Sequence, residues 1–340
     1  MALKPIDEAH ALQIQAGTLG RRTGHDFEAQ VTDDANKLTC PRVIPTNEKK
    51  QHIFQGAVAQ HLVDYVCARE GVETLAKIEA LSTGALATSE EGKKWLTVNG
   101  ADIQRCKSDI ILTLHAEGGQ PVTVGVSIKQ CNNSSPTNAQ LYFTTASGFV
   151  SLLRKNDIQV SDKSELALKQ FCGEPGHQPL DAKNHSNARK TDPRRFFWEE
   201  VDSKGRKEIE KLLQDRHDDI FRLLLQKAYH DDPFVPSYVV HKTKKADDPA
   251  LTEVAIYSIE ELIALSKQYK GFETKTYSVR KGSYKDPDGV SHLAPRFGVI
   301  QMQRGGQKQH PTQLQFNLEA GYFYNLRDHL DKVTANSSGK

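Results

Sequence analysis

The sequence predicts an α/β fold of the α+β kind, with helices and strands following one another in blocks. Three observations carry this. Two β-branched runs, Ile110-Ile111-Leu112-Thr113-Leu114 and Val122-Thr123-Val124-Gly125-Val126-Ser127-Ile128-Lys129, flank the turn Glu117-Gly118-Gly119-Gln120-Pro121, which reads as an antiparallel hairpin. Segments with helical spacing of apolar residues stand before and after that hairpin. From Pro236 onward the texture changes to short strands.

The loop Gly17-Thr18-Leu19-Gly20-Arg21-Arg22-Thr23-Gly24 leads into a helix near Gly24 that carries Glu28. Glycines beside Arg21 and Arg22 offer amides and guanidinium forks to phosphate oxygens. No Gly-Lys-Ser or Gly-Lys-Thr follows, which disfavours nucleotide hydrolysis. Residues 51–69 read as an amphipathic helix, and a second helix is expected over about 71–82, carrying Glu73 and Glu79. After the hairpin, Leu141–Arg154 reads as a helix, and 173–195, rich in Gly, Pro, Asn, Lys and Arg, as a long loop.

Phe196-Phe197-Trp198 opens a long helix to about Tyr229. Three adjacent aromatics at a helix start read as a core anchor more readily than as a base-stacking platform. Strands follow at 238–240, 254–257, 274–279, 297–304 and 313–318, with a helix at 259–269 between them. The divisions expected are 1–172, helices and core; 173–235, loop and long helix; 236–334, a strand-rich portion; and 335–340, a disordered tail.

At 340 residues, 37% hydrophobic and 26% charged, the chain can bury a large core and is not broadly disordered. The sequence contains no run of 18 apolar residues and no signal-peptide core at Met1-Ala2-Leu3-Lys4-Pro5, so no membrane association and a cytoplasmic location are expected. Five scattered cysteines without a Cys-X-X-Cys pair speak against a zinc site or a disulfide framework. The net charge of +2 is nearly neutral, yet 270–310 holds eight basic residues against three acids. Arg189-Lys190 and Arg194-Arg195 form a second basic cluster. Local patches on a neutral protein fit specific phosphate contacts, or else ordinary solvated faces.

The hairpin carries the chemistry. Side chains alternate faces along a strand, so Ser127 and Lys129 share one face of the second strand. If the hairpin closes symmetrically about Gly118, Asp109 stands opposite Ser127 with Lys129 one step further along. An aspartate holding a hard cation beside an ammonium that steadies water and phosphorane charge is what Mg²⁺-dependent phosphodiester hydrolysis needs.

This arrangement resembles the PD-(D/E)XK nuclease superfamily, in particular type II restriction endonucleases. There an aspartate opens one strand and an acidic-X-Lys triplet lies on the next. The resemblance covers roughly residues 105–150 and implies a central mixed sheet flanked by helices, with a C-terminal portion that reads DNA. It puts the aspartate at Asp109 and the lysine at Lys129, with the Ile128 carbonyl as a further Mg²⁺ ligand. Where the family usually has Asp or Glu, this chain has Ser127, so a second acid is expected from elsewhere. Glu28 resembles the helix glutamate that many of these nucleases aim at the metal; Glu73 and Glu79 are alternatives.

The activity implied is sequence-specific cleavage of double-stranded DNA, by a homodimer on a palindromic site. Alternatives are a repair or recombination nuclease reading DNA structure, and a DNA-binding module with a decayed core. Candidate DNA contacts are Arg21, Arg22, Gln130, Asn132, Asn133, Arg194, Arg195, Arg280, Lys281, Gln301, Gln303, Arg304, Lys308 and Gln315. In the last strand pair, long Gln and Arg side chains alternate with apolar ones. Such side chains suit base edges, and a two-stranded ribbon fits the major groove.

Overall fold

The computed structural model describes residues 24–45, 52–83, 97–98, 101–102, 106–131, 138–179, 192–226, 234–243, 248–269, 271–280, 284–305 and 312–319. They form seven α-helices, α1 (24–36), α2 (Val58–Glu70), α3 (Ala146–Arg154), α4 (Asp162–Cys172), α5 (Ser203–Asp215), α6 (His217–Gln226) and α7 (Ile259–Ser266). The strands are β1 (Arg42–Val43), β2 (Ile53–Gln55), β3 (Thr74–Ser82), β4 (Thr97–Val98), β5 (Ala101–Asp102), β6 (Ile110–Ala116) and β7 (Val122–Lys129). They continue as β8 (Ala139–Thr144), β9 (Pro236–Lys242), β10 (Glu253–Ser258), β11 (Glu273–Tyr277), β12 (His292–Phe297), β13 (Ile300–Arg304) and β14 (Leu314–Leu318). None of the described helices is long and apolar enough to cross a membrane.

The chain divides into two compact units, neither continuous in sequence. The first contains the described residues up to Ala139 together with Leu225–Leu262; the second contains Gln140–Leu224 and Ile263–Glu319. The strand-rich stretch from 236 is therefore shared, β9 and β10 belonging to the first unit and β11 to β14 to the second.

The first unit is built on a mixed sheet in the order β1-β3-β6-β7-β9-β10-β2. All its pairings are antiparallel except β7 with β9. Alternation decides which face is apolar. Leu112, Leu114, Val124, Val126, Ile128, Val240, Val254 and Ile256 point to one side and are buried under α1 (Phe27, Val31, Ala35) and α2 (Leu62, Val63, Val66). This is the mixed sheet flanked by helices, and the α/β class, that the sequence predicts. The hairpin closes in the predicted register: Ile110 pairs Val126, Leu112 pairs Val124 and Leu114 pairs Val122.

Four helix expectations are corrected, the fourth being the long helix after Trp198. Residues 71–82 are not a helix: β3 runs antiparallel to β6, with Leu75 and Ile78 buried and a bulge between Leu75 and Lys77. The Ala-, Leu- and Lys-rich composition favours helix locally, but pairing along an already apolar strand overrides propensity. The helix expected from 51 begins only at Val58, after β2 and the left-handed residues Gly56 (φ 65°) and Ala57 (φ 40°). The helix expected from 141 is preceded by β8, and Thr145 caps its true start by accepting from the Gly148 N–H.

In the second unit the sheet order is β11-β12-β13-β14-β8. Phe196, Phe197 and Trp198 are buried, with Trp198 edge-on to Phe171 of α4. The long helix expected after them is broken into a short 3₁₀ turn at Trp198–Glu200, α5, and α6 beyond Arg216. Asp202 caps α5 by accepting from Gly205 N–H. β13 and β14 pair as read from the sequence, Gln303 opposite Gln315 and Gln301 opposite Asn317.

Candidate active site

Asp109 lies one position before the first ladder pair of β6. Its N–H donates to the Val126 carbonyl at 2.8 Å, and its own carbonyl accepts from Thr83 N–H at 2.9 Å. The backbone of Asp109 is thus fixed from both neighbouring strands, and its side chain turns onto the end of β7. There Oδ2 accepts from the Ile128 N–H at 2.6 Å and from the Ser127 hydroxyl at 3.2 Å. Lys129 Nζ donates to Ser127 Oγ at 2.8 Å. A serine hydroxyl has one proton to give and lone pairs to receive, so the order of donation is ammonium to hydroxyl to carboxylate. Ser127 links the two charged groups.

Glu28 stands in the first turns of α1 and is only 8% exposed. Burial, and then the negative charge of Asp109, push its carboxyl above the usual range; a hydrogen bond from His25 and the charges of His25 and Lys129 pull the other way. His25 Nδ1 lies 3.2 Å from Glu28 Oε2. Gln130 Nε2 donates to the Gly24 carbonyl at 3.0 Å, joining the end of β7 to the start of α1. Asp109, Ser127, Lys129 and Glu28 are therefore brought to one place. Glu73 and Glu79 are not: Glu79 is exposed on β3, bonded to Lys77 and His115.

The sequence reading missed His241. It is fully buried on β9, paired in parallel register with Lys129. Burial, and then the Lys129 charge, push its imidazole down to about 3, so a neutral ring lies beside the ammonium at neutral pH. A histidine ending the apolar run Tyr238-Val239-Val240 carries no sign of this, because its neighbour comes from a strand far away in sequence.

The donor set suits a hard cation. The buried Glu28 and the half-buried Asp109 repel each other's charge, a repulsion that a divalent ion would relieve. Among the described residues no group of three or more His, Cys, Asp or Glu is placed to hold a metal ion. Mg²⁺ needs less, one or two carboxylates completed by water and substrate phosphate.

The candidate DNA contacts are scattered. Arg21, Arg22, Asn132, Asn133, Lys281 and Lys308 lie outside the described residues. Arg280 is exposed and pairs with Asp288 at 3.3 Å. Arg194 grips the fully buried Asp192 with two nitrogens at 2.7 and 2.6 Å, Arg195 lies 3.7 Å from it, and Arg304 lies 4.0 Å from it. Arg304 is 11% exposed; burial and the neighbouring Arg195 lower it to about 10. Gln303 donates to Gln315, and Gln315 to Gln140 of β8, at 3.1 and 3.2 Å, making a row of amides across three strands. Gln301 is half-buried beside that row.

No protein-family model and no curated protein matches the chain. Among solved structures it is similar to the restriction endonuclease MspI in complex with its cognate DNA. The TM-score is 0.39 and the identity 11%, over 72% of this chain and 71% of that one. A likeness of that size does not speak to shared chemistry, and the reading of the site rests on its side chains.

Proposed function

We propose that this protein is a Mg²⁺-dependent endonuclease of the PD-(D/E)XK type that cuts double-stranded DNA at a defined sequence. The observation that carries the reading is the Lys129–Ser127–Asp109 hydrogen-bond chain with Glu28 beside it. Asp109, Glu28 and the Ile128 carbonyl would hold Mg²⁺, which supplies charge stabilisation at the scissile phosphate. Lys129 is aimed by Ser127 and steadies an attacking water and the charge that builds on phosphorus. Asp109 keeps Ser127 and the Ile128 amide in place, so the ammonium is set before substrate arrives.

The row Gln140–Gln315–Gln303, with Gln301, provides amides suited to base edges. The guanidinium groups of Arg194, Arg195 and Arg304 hold Asp192, which favours a supporting role for them over direct reading. A homodimer acting on a palindromic site completes the proposal. A decayed nuclease core is the second reading, motivated by Ser127. The two hydrogen bonds of Ser127 favour an intact centre, since the hydroxyl does a job in it.

The test is incubation of a long defined DNA with Mg²⁺ and the wild-type, Asp109→Ala or Lys129→Ala protein. Wild type is expected to give discrete fragments. Each variant is expected to lose cleavage by orders of magnitude while keeping its circular dichroism spectrum and its DNA affinity. Full cleavage by either folded variant removes the assignment.

A further inference from the structure

We propose that Gln130 is a positioning residue for the Mg²⁺ site: its side-chain amide holds the first turn of α1 on the end of β7 and so sets where Glu28 stands. The proposal rests on the reading of Asp109, Glu28 and Lys129 as a nuclease centre.

Glu28 faces a mechanical difficulty that Asp109 does not. Asp109 is fixed through its own backbone by the ladder on either side, whereas Glu28 rides near the start of α1. That helix is packed on the sheet through Phe27, Val31 and Ala35 and is hydrogen-bonded to β3 only at its far end, through Asn36 and Ala80. The hydrogen bond from His25 does not solve this, because His25 is three residues away on the same helix and moves with it. Gln130 comes from the sheet. It follows Lys129 directly, and its bond to the Gly24 carbonyl spans 106 positions of sequence.

Gly24 is where the amide and the carboxylate converge. A Cβ built there would lie 3.8 Å from Gln130 Nε2 and 3.9 Å from Glu28 Oε1. Gly24 and Glu28 are four residues apart, one turn above the other on the same helix face. Holding the Gly24 carbonyl therefore holds the turn from which Glu28 projects. The same strand end thus delivers the ammonium and fixes the distance to the second acid. This gives Gln130 a different use from the DNA contact expected of it.

The experiment uses the full chain without DNA, with Mg²⁺ titrated by calorimetry and the amides of α1 followed by hydrogen exchange. The variants are Gln130→Met, which keeps length and loses the donor, and Gln130→Asn, which keeps the amide and loses the reach. Glu28→Gln and the Gln130→Met/Glu28→Gln double variant complete the set. Duplex DNA affinity is measured for each without metal. Both Gln130 variants are expected to weaken Mg²⁺ binding about tenfold and to speed exchange in α1, with DNA affinity unchanged. The double variant is expected to bind Mg²⁺ no worse than Glu28→Gln alone.

If the Gln130 variants bind Mg²⁺ as wild type does, or if their loss multiplies that of Glu28→Gln, the role is overturned. A fall in DNA affinity with Mg²⁺ binding intact overturns it in favour of direct DNA contact. Wild-type protein that binds no Mg²⁺ sinks the nuclease reading itself. That result is separate from a wild type that binds and a Gln130→Met that binds equally well, which removes only Gln130.

Discussion

The first unit holds two carboxylate clusters, each at least partly buried, that its fold treats in opposite ways. Glu261 of α7 accepts five hydrogen bonds: Arg69 Nε and Nη2 at 2.9 and 2.7 Å, Tyr65 hydroxyl at 2.5 Å, and Ser258 amide and hydroxyl at 3.1 and 2.9 Å. Burial works against its charge, yet those donors outweigh it and hold Glu261 down to about 2. Glu28 meets burial and a second carboxylate with only His25 and Lys129 in its favour, and its carboxyl is pushed up. One cluster is electrically complete, and the other is short of positive charge. On the proposed reading the difference separates a joint from a site: the first is finished by the protein, and the second would be finished by a cation.

Removing the cation from the complete cluster should have the largest effect on stability. Arg69→Ala leaves Glu261 with neutral donors only, and a loss on the order of 2 kcal/mol is expected in urea denaturation at pH 7. This is below the cost of breaking a fully buried pair, because Glu261 is 35% exposed. The sign with pH follows from the depressed carboxyl. The stability from the pairing is fully present above the ordinary glutamate range and is lost as pH falls through it toward about 2. Wild type should therefore lose its advantage over Arg69→Ala across that window; a gap between the two that stays constant with pH would refute the pairing.

Ser127→Ala is expected to cost about tenfold to a hundredfold in cleavage, less than Lys129→Ala, because the ammonium remains but is no longer aimed. Ser127→Thr keeps the hydroxyl and should recover most of the rate. Single-turnover kinetics at saturating DNA makes the measurement, and equal losses for Ala and Thr would remove the bridging role.

The smallest effect has the opposite sign. The raised Glu28 carboxyl binds its proton more tightly in the folded state than in the unfolded one, so stability falls as pH rises from the ordinary glutamate range through the folded value. Above that window the cost persists. Glu28→Gln should therefore unfold at slightly higher urea than wild type at pH 7 without metal, while binding Mg²⁺ more weakly. A Glu28→Gln variant less stable than wild type at pH 7 would contradict the picture of an uncompensated charge.

Much of this site was legible because its main elements are local. The hairpin register follows from two β-branched runs about one glycine-rich turn, and the register alone brings Asp109 to Ser127 and Lys129. Glu28 was reached through resemblance, and the placement of α1 brings it to Asp109. What failed depends on partners distant in sequence. β3 is rich in helix formers and becomes a strand because β6 offers it an edge. His241 enters the site through a parallel pairing that no local pattern announces. Arg304 falls in step with the buried Ile300 and Met302 of β13, so its half-buried setting follows the alternation, but the Asp192 beside it could not be read from Thr191-Asp192-Pro193. Gln130 sits in a polar stretch that looks made for DNA, while its amide is engaged by Gly24.

The parallel pairing of β7 with β9 also bears on how the chain closes. Lys129 ends β7, and β9 does not begin until Pro236. Most of the second unit is threaded between two adjacent strands of the first. Bringing the ends of a flexible segment of that length together costs on the order of 4 kcal/mol of chain entropy, whereas β6 and β7 meet across a turn of a few residues. The strand that carries Ser127 and Lys129 can thus gain its β6 neighbour early, and its β9 neighbour only once the inserted segment has brought its ends together. By chain entropy alone, the lysine and aspartate would meet in the fast half of that assembly, and the buried imidazole of His241 would join in the slow half.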